Sequence, residues 1–277
     1  MSVVADLHTH TTVSDGTFSL DGLIETAHEA GLDAVAVTDH DRYHPELSAP
    51  VERRGELLVV RGIELRVETD QQRVDLLGYG LEPTDALTAE VERLQQDRVD
   101  RGRRIVENVE AELGVDLGID PHPGLGRPHI ARAVVESDAD YDAVGEVFDD
   151  LIGDDCACYV ARNVPDFGTG RALLEEACAF VGLAHPLRYG DPEAALELTA
   201  DLDAVERYYP YDRPVSPDDA EALDPRPVEA AIAEHDLLAT GGTDAHDEEL
   251  AVDGLPQGAW ERVRERLPEP VEPAESN

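Results

Sequence analysis

Residues 5–17 read A-D-L-H-T-H-T-T-V-S-D-G-T and carry three potential metal ligands, His8, His10 and Asp15, directly after a short apolar run. On an extended segment alternate side chains point the same way, so H-x-H offers two imidazoles to one centre. The device recurs near the other end, where G-G-T-D-A-H-D sets Asp244 two residues before His246. Between them lie V-T-D-H-D with Asp39 and His40, R-G-I-E-L with Glu64, and G-L-A-H-P with His185. Six of the ten histidines, His8, His10, His40, His129, His185 and His246, fall at predicted element ends or turns. Imidazole and carboxylate together suit Zn, Mn or Fe. A carboxylate such as Glu64 has two oxygens with which to bridge two cations. Each motif alone has a plainer reading. H-x-H could be a surface strand end, T-D-H a cap and turn, A-H-P a buried histidine donating to a carbonyl, and D-A-H an N-cap. Their joint occurrence, each after an apolar run, favours a polynuclear metal centre of hydrolytic type.

The elements that must position these residues follow from the spacing of apolar side chains. Strands are expected at 3–7, 34–38, 57–65, 74–79, 181–184, 204–209 and 237–241, with helical patterns between them. Ser19 can cap a helix over 20–30 that Gly31 ends, and another helix is expected over 220–234, interrupted near Pro225 and Pro227. Strands separated by helices imply a mostly parallel α/β architecture. In such folds the carboxyl ends of the strands converge on one face, where sites form. Residues 83–166 break the rhythm with a long amphipathic helix marked by Leu87, Val91, Leu94, Val99, Ile105 and Val109. A turn at P-H-P-G-L-G-R-P-H and two shorter helices over 129–136 and 141–152 complete this segment. The expected organisation is a discontinuous barrel of 1–82 and 167–267, an inserted helical subdomain of 83–166, and a disordered acidic tail of 268–277.

The chain has 277 residues, 42% of them apolar, so it is long enough to bury a core. Its formal net charge is −40, and all 22 basic residues are arginine. So much negative charge suits a folded protein of a very saline cytoplasm, where salt screens self-repulsion. Dilution into low salt is expected to unfold it, and a melting temperature independent of salt would count against that reading. The charge disfavours unspecific nucleic-acid binding without excluding a local basic pocket. No apolar run approaches the roughly 20 residues that span a bilayer. The first residues turn polar by Asp6, so no signal peptide and a cytoplasmic location are expected. Cys156, Cys158 and Cys178 are too few for a disulfide framework and read as structural thiols.

The set D-L-H-T-H, S-D-G, T-D-H-D, G-I-E, A-H-P and G-T-D-A-H, in that order, resembles the PHP (polymerase and histidinol phosphatase) family. G-R-P-H-I-A-R at 126, Y-V-A-R at 159 and E-R-Y-Y-P at 206 are similar to its stand-alone branch of nucleotide phosphatases and 5′-to-3′ exoribonucleases. The resemblance implies an α/β fold, a distorted (β/α)7 barrel with a helical insertion, holding two or three divalent cations. Manganese is favoured, with Mg, Zn or Fe as alternatives. By motif, His8 and His10 would share one cation with Glu64 and Asp244. Glu64 would bridge to a second that also uses His185. Asp15, His40 and His246 would hold a third. One position departs from the branch, which usually has histidine just before L-G after the Glu64 strand; V-D-L-L-G places Asp75 there. Asp75 can ligate through oxygen, adds negative charge and favours harder ions, or it replaces a dispensable ligand.

The implied activity is a metal-dependent phosphoesterase, a phosphatase or exonuclease, acting on nucleotides or the 5′ end of short RNA through attack of a metal-bound hydroxide. Asp244 or a neighbouring histidine such as His246 would handle the proton. Arg127, His129, Arg162 and Arg188 are the expected phosphate-binding groups, because guanidinium grips phosphate bidentately. Arg132 reads as a solvated helix face, and Tyr208 and Tyr209 as base-stacking or core residues. The remaining histidines read as caps and turns. A histidinol-phosphate phosphatase and a non-catalytic RNA- or partner-binding protein are the alternatives. No membrane association and no obligate protein partner are expected.

Overall fold

The computed structural model describes residues 2–122, 125–154, 156–217, 219, 221–247 and 249–273. The elements run β1 (Ala5–Thr9), α1 (Leu20–Glu29), β2 (Ala34–Val37), β3 (Val51–Arg54), β4 (Leu57–Glu68), β5 (Arg73–Tyr79), α2 (Asp85–Leu113), α3 (Arg127–Glu136) and α4 (Val144–Val147). They continue with α5 (Phe167–Ala177), β6 (Phe180–Leu183), α6 (Pro192–Glu197), β7 (Ala204–Tyr208), α7 (Arg226–His235), β8 (Leu238–Gly241) and α8 (Gln257–Arg264). The chain divides into two compact units, Met1–Thr88 with Pro165–Asn277, and Ala89–Val164.

In the first unit seven strands follow the path β1-β2-β4-β5-β6-β7-β8, with β3 paired to the side of β4. Most neighbours are parallel, as the alternation of strand and helix predicts. β5 runs antiparallel to both β4 and β6, and β3 runs antiparallel to β4. The ring closes where the chain after β8 meets β1: Asp244 N–H donates to His8 O at 2.7 Å, and His10 N–H donates to Ala245 O at 2.9 Å. Gly242 is required at this seam, since a Cβ there would lie 2.3 Å from His8 N. The result is a distorted seven-stranded barrel.

The strands form because their residues are apolar and β-branched on positions buried from both sides. All five residues of β1 and all four of β2 are buried. One core cluster gathers Leu7, Ala36, Val60, Leu77, Phe180 and Trp260, and another packs α1 through Leu23 and Ala27 against Val35, Val37 and Val59. Ser19 Oγ accepts from Gly22 N–H at 3.1 Å and starts α1 as the sequence predicts.

Two expectations change. The helix expected over 220–234 begins only at Arg226, because Pro225 and Pro227 suit a helix start and not its interior. In the stretch read as a disordered tail, Val271 exchanges backbone hydrogen bonds with the β3 edge, donating to Val51 O at 3.0 Å and accepting from Arg53 N–H at 2.8 Å. β3 itself, V-E-R-R, has no apolar alternation to announce it.

The second unit has its own core. Ile105, Val106 and Val109 of α2 pack with Ile130 and Val134 of α3 and with Val147, Leu151 and Ile152. After α4 the helix continues as one π-helical turn over Phe148–Ile152.

Candidate metal centre

His8 lies in β1 and His10 follows it. His40 follows β2, Glu64 sits in β4, Asp75 in β5, His185 just beyond β6, and Asp244 and His246 beyond β8. All are carried to one region of the barrel, and three groups of ligand atoms form there. They are His8, His10, Glu64 and Asp244; Glu64, Asp75 and His185; and His10, Asp15, His40 and His246, with atoms in each lying within 4.8 Å of one another. Asp39, though inside T-D-H-D, works as a brace. Its carboxylate accepts from Thr11 N–H, Thr11 Oγ and Ser14 Oγ at 2.6–2.8 Å, which shapes the loop that carries Asp15. His185 (φ 28°) and Asp244 (φ 54°) hold left-handed backbone. That conformation costs on the order of 1–3 kcal/mol per residue and concentrates at functional sites.

The donor set tests whether cations fit. His8 Nδ1 lies 3.1 and 3.2 Å from the two oxygens of Glu206, which is fully buried. A carboxylate can only accept, so Nδ1 carries the hydrogen and Nε2 is left as the ligand atom. His8 Nε2 faces Glu64 Oε1 at 3.4 Å and Asp244 Oδ1 at 3.3 Å. It has no hydrogen-bond partner. His10 Nε2 faces Asp244 Oδ1 at 3.0 Å and Glu64 Oε2 at 3.4 Å. Acceptors turned on one another in a buried place are costly unless a positive charge lies among them, so the residues fit divalent cations.

Protons stand in for that charge in the metal-free chain. Burial opposes charge on His40, but Glu64, 2.6 Å from its Nδ1, outweighs it and raises the pKa to about 9. His8 is likewise raised well above the usual imidazole range: burial works against it, and Glu206, Asp244 and Glu64 prevail. His10 goes the other way, to about 4, through burial and the neighbouring charge of His40. Burial pushes Glu64 up, yet His40 and His8 hold it well below the usual carboxylate range. Asp244 and Asp15 are lowered in the same fashion, against burial, by the surrounding imidazoles.

The phosphate-binding candidates are distributed. Arg188 Nη1 donates to Tyr209 Oη at 2.7 Å and to Asp244 Oδ2 at 2.9 Å, while its side chain is half-exposed. Tyr209 is buried and donates to Asp244 Oδ2 at 2.8 Å, so its hydroxyl is committed to the cluster. Tyr208 packs against the core. Arg127, His129 and Arg162 belong to the second unit. Arg127 pairs with Asp154 at 2.9 Å and lies over the rings of Phe148 and Tyr159. His129 is exposed and its Nδ1 accepts from Gly126 N–H at 3.1 Å, a helix-cap role. Arg132 is exposed, as a solvated helix face would be.

Sequence reading missed three residues. Glu206 sits within E-R-Y-Y-P, but nothing local announces a bond to His8, 198 positions away. Arg66 grips Asp75 through a cross-strand register. Arg101 is buried over the ring of Tyr159 in the second unit, and burial followed by the charges of Arg127 and Arg162 lowers its pKa to about 10. Among the described residues no helix is long and apolar enough to cross a membrane.

Residues 6–148 match the model of the PHP domain. The chain belongs to the PHP family. Membership places it among the metal-dependent phosphoric ester hydrolases. PHP relatives include a 3′,5′-nucleoside bisphosphate phosphatase of Chromobacterium violaceum, 28% identical over 72% of this chain and 73% of that protein. A 5′-3′ exoribonuclease of Haemophilus influenzae is 25% identical over 66% of this chain and 69% of that one. A phosphoribosyl 1,2-cyclic phosphate 1,2-diphosphodiesterase of Eggerthella lenta is 27% identical over 88% and 94% of the two chains. In fold, the chain is similar to a candidate metal-dependent phosphoesterase from Bifidobacterium adolescentis, with TM-score 0.71, 23% identity and 96% of each chain covered.

Proposed function

We propose that this PHP chain hydrolyses phosphate esters of nucleotides or of the 5′ end of short RNA, with His8, His10, Asp15, His40, Glu64, Asp75, His185, Asp244 and His246 as ligands of two or three divalent cations. Manganese is the favoured ion, since oxygen donors predominate over thiolates. The observation that carries the reading is the bare Nε2 of His8 facing two carboxylates, with its Nδ1 locked to Glu206. Such cations lower the pKa of a water and neutralise charge on a phosphoryl group. The chain orients the rest. Glu206 fixes the tautomer and ring of His8. Tyr209 and Arg188 hold Asp244 by Oδ2 and leave Oδ1 to the cluster. Arg188 keeps donors free toward solvent, suited to a non-bridging phosphate oxygen. Asp244 and His246 are the proposed proton-handling residues: the His246 ring is part-exposed, and its Nδ1 lies 3.6 Å from Asp244 Oδ1 and 2.8 Å from the Asp244 backbone carbonyl. Arg127 and Arg162, with Arg101 beside them, are the guanidinium groups of the second unit that bind phosphates of the substrate, with His129 at the start of the same helix as Arg127.

The names of the bisphosphate phosphatase and of the exoribonuclease support nucleotide or RNA substrates. A cyclic phosphodiester of a small sugar is a second reading, favoured by the span of the Eggerthella lenta match. The test is an assay in molar salt with Mn²⁺, offering adenosine 3′,5′-bisphosphate, 5′-phosphorylated oligoribonucleotides, phosphoribosyl 1,2-cyclic phosphate and histidinol phosphate. Turnover of the first two, lost in His8→Ala and Asp244→Ala, is expected. Unchanged turnover in those variants refutes the site. Preference for either of the other substrates overturns the substrate assignment alone, and no turnover of any ester favours a non-catalytic binding protein.

A further inference from the structure

The three ligand groups are not equally free to take a cation. Asp75 has both carboxylate oxygens occupied: Arg66 Nε donates to Oδ1 and Arg66 Nη2 to Oδ2, each at 2.7 Å. Arg66 is two residues beyond Glu64 on β4 and therefore on the same face, and it stands directly opposite Asp75 across the antiparallel β4–β5 pair. The backbone register thus places the fork. The pair is pinned further, because Arg66 N–H donates to Asp41 Oδ1 at 3.1 Å and Asp75 N–H donates to Tyr189 Oη at 2.8 Å. A bidentate guanidinium–carboxylate pair is a strong, geometrically specific contact.

Asp244 shows the contrast. It too meets an arginine, but Arg188 takes only Oδ2 and leaves Oδ1 facing His8 and His10. At the Glu64, Asp75 and His185 corner, His185 Nε2 is 3.0 Å from Glu64 Oε1 and 3.8 Å from Asp75 Oδ2. A cation entering there would share Asp75 with a full positive charge at hydrogen-bonding distance from each of its oxygens. Glu64 and His185 would be its only donors not already shared with an arginine.

We propose that Arg66 is the resident positive charge of this corner, so that the chain holds cations tightly at the other two groups and a weak, exchangeable one here. This rests on the metal reading above. Arg66 is a positioning residue: it acts on Asp75 and need not touch substrate.

The experiment counts metal instead of turnover. Chelator-stripped protein is titrated with Mn²⁺ in molar KCl by calorimetry, and metal retained after desalting is counted by mass spectrometry. The wild type is expected to retain two ions per chain and to bind a third at least tenfold more weakly. Arg66→Met, which keeps bulk and removes charge and donors, is expected to retain three. Arg66→Lys, which keeps charge but cannot hold both oxygens, is expected to fall between them and serves if Arg66→Met does not fold. Three equally tight ions in the wild type, or an unchanged count and affinity in both variants, overturns the inference alone. A wild type that binds no Mn²⁺ overturns the metal reading and the inference with it.

Discussion

The ligand groups of the barrel and the arginine cluster of the second unit solve opposite electrostatic problems in one chain of net charge −40. In the barrel, buried acidic groups and imidazoles crowd around Glu64, and protons on His8 and His40 balance them until cations arrive. In the second unit, Arg101, Arg127 and Arg162 lie near enough to one another that Arg101 is destabilised as a cation, after the larger cost of its burial. One region gathers buried carboxylates and imidazoles, and the other gathers guanidinium groups, of which Arg127 is paired with Asp154. Under the proposed function the first takes divalent cations and the second takes phosphates of the substrate. An overall charge says little about a site; burial and neighbours decide which sign is missing locally.

The sharpest break of this contrast comes from Glu206→Gln. The carboxylate that sets the His8 tautomer would become an amide able to present its N–H₂ instead. Cation affinity is expected to fall ~10- to 100-fold, as for other supports of metal-ligating histidines, while nucleotide binding to the metal-free chain stays unchanged. Calorimetry with Mn²⁺ and with nucleotide separates the two. An unchanged Mn²⁺ affinity would remove Glu206 from the centre.

The complementary changes are Arg127→Ala and Arg162→Ala. Each is expected to raise KM about tenfold with kcat little altered, the loss of one charge-assisted phosphate contact. Equal loss in kcat would move these residues from binding to the chemical step. Arg132→Ala, on the solvated face, serves as the control and should leave both constants unchanged.

Acidity sharpens the comparison on the barrel side. His40 is raised from 6.5 to about 9 in the metal-free chain. A raised imidazole contributes stability fully below its unfolded pKa and loses it as pH climbs through the folded one. The metal-free protein should therefore lose at most about 3 kcal/mol from this residue between pH 6.5 and 9. Cation affinity should rise over the same window, by up to ~10-fold per pH unit for each proton displaced. Calorimetry in buffers of different ionisation enthalpy counts those protons, and affinity flat from pH 7 to 9 would count against protonated His40 as the stand-in charge.

Salt gives the smallest separation between the regions. Unfolding on dilution from molar salt should affect the whole chain, read as a falling melting temperature. Within the folded range, raising salt should weaken phosphate binding at the part-exposed Arg127 by a few-fold and leave cation affinity at buried Glu64 nearly unchanged.

Much of the barrel was legible because its strands are buried runs and its helices amphipathic. The ends of those runs located His8, His10, His40 and His185, and the third run carried Glu64, without any knowledge of contacts. β3 and the bonds of Val271 were not legible, since an edge strand such as V-E-R-R carries polar residues that hide its pairing. Of the candidate site, the donors were visible and their supports were not. Tyr209 could be a stacking or a core residue by sequence, and only its 2.8 Å bond to Asp244 decides.

By itself, the sequence determined which side chains end the strands, and with them the inventory of nitrogen and oxygen donors, because hydrophobic periodicity is local and a strand end is read within a few residues. The tertiary structure alone decided that Glu206 stands behind His8, that Arg66 closes both oxygens of Asp75, and that Arg101 is buried beside two other arginines. Those relations come from strand register, barrel closure and helix packing. They join residues far apart in the chain, and no local pattern encodes such distances.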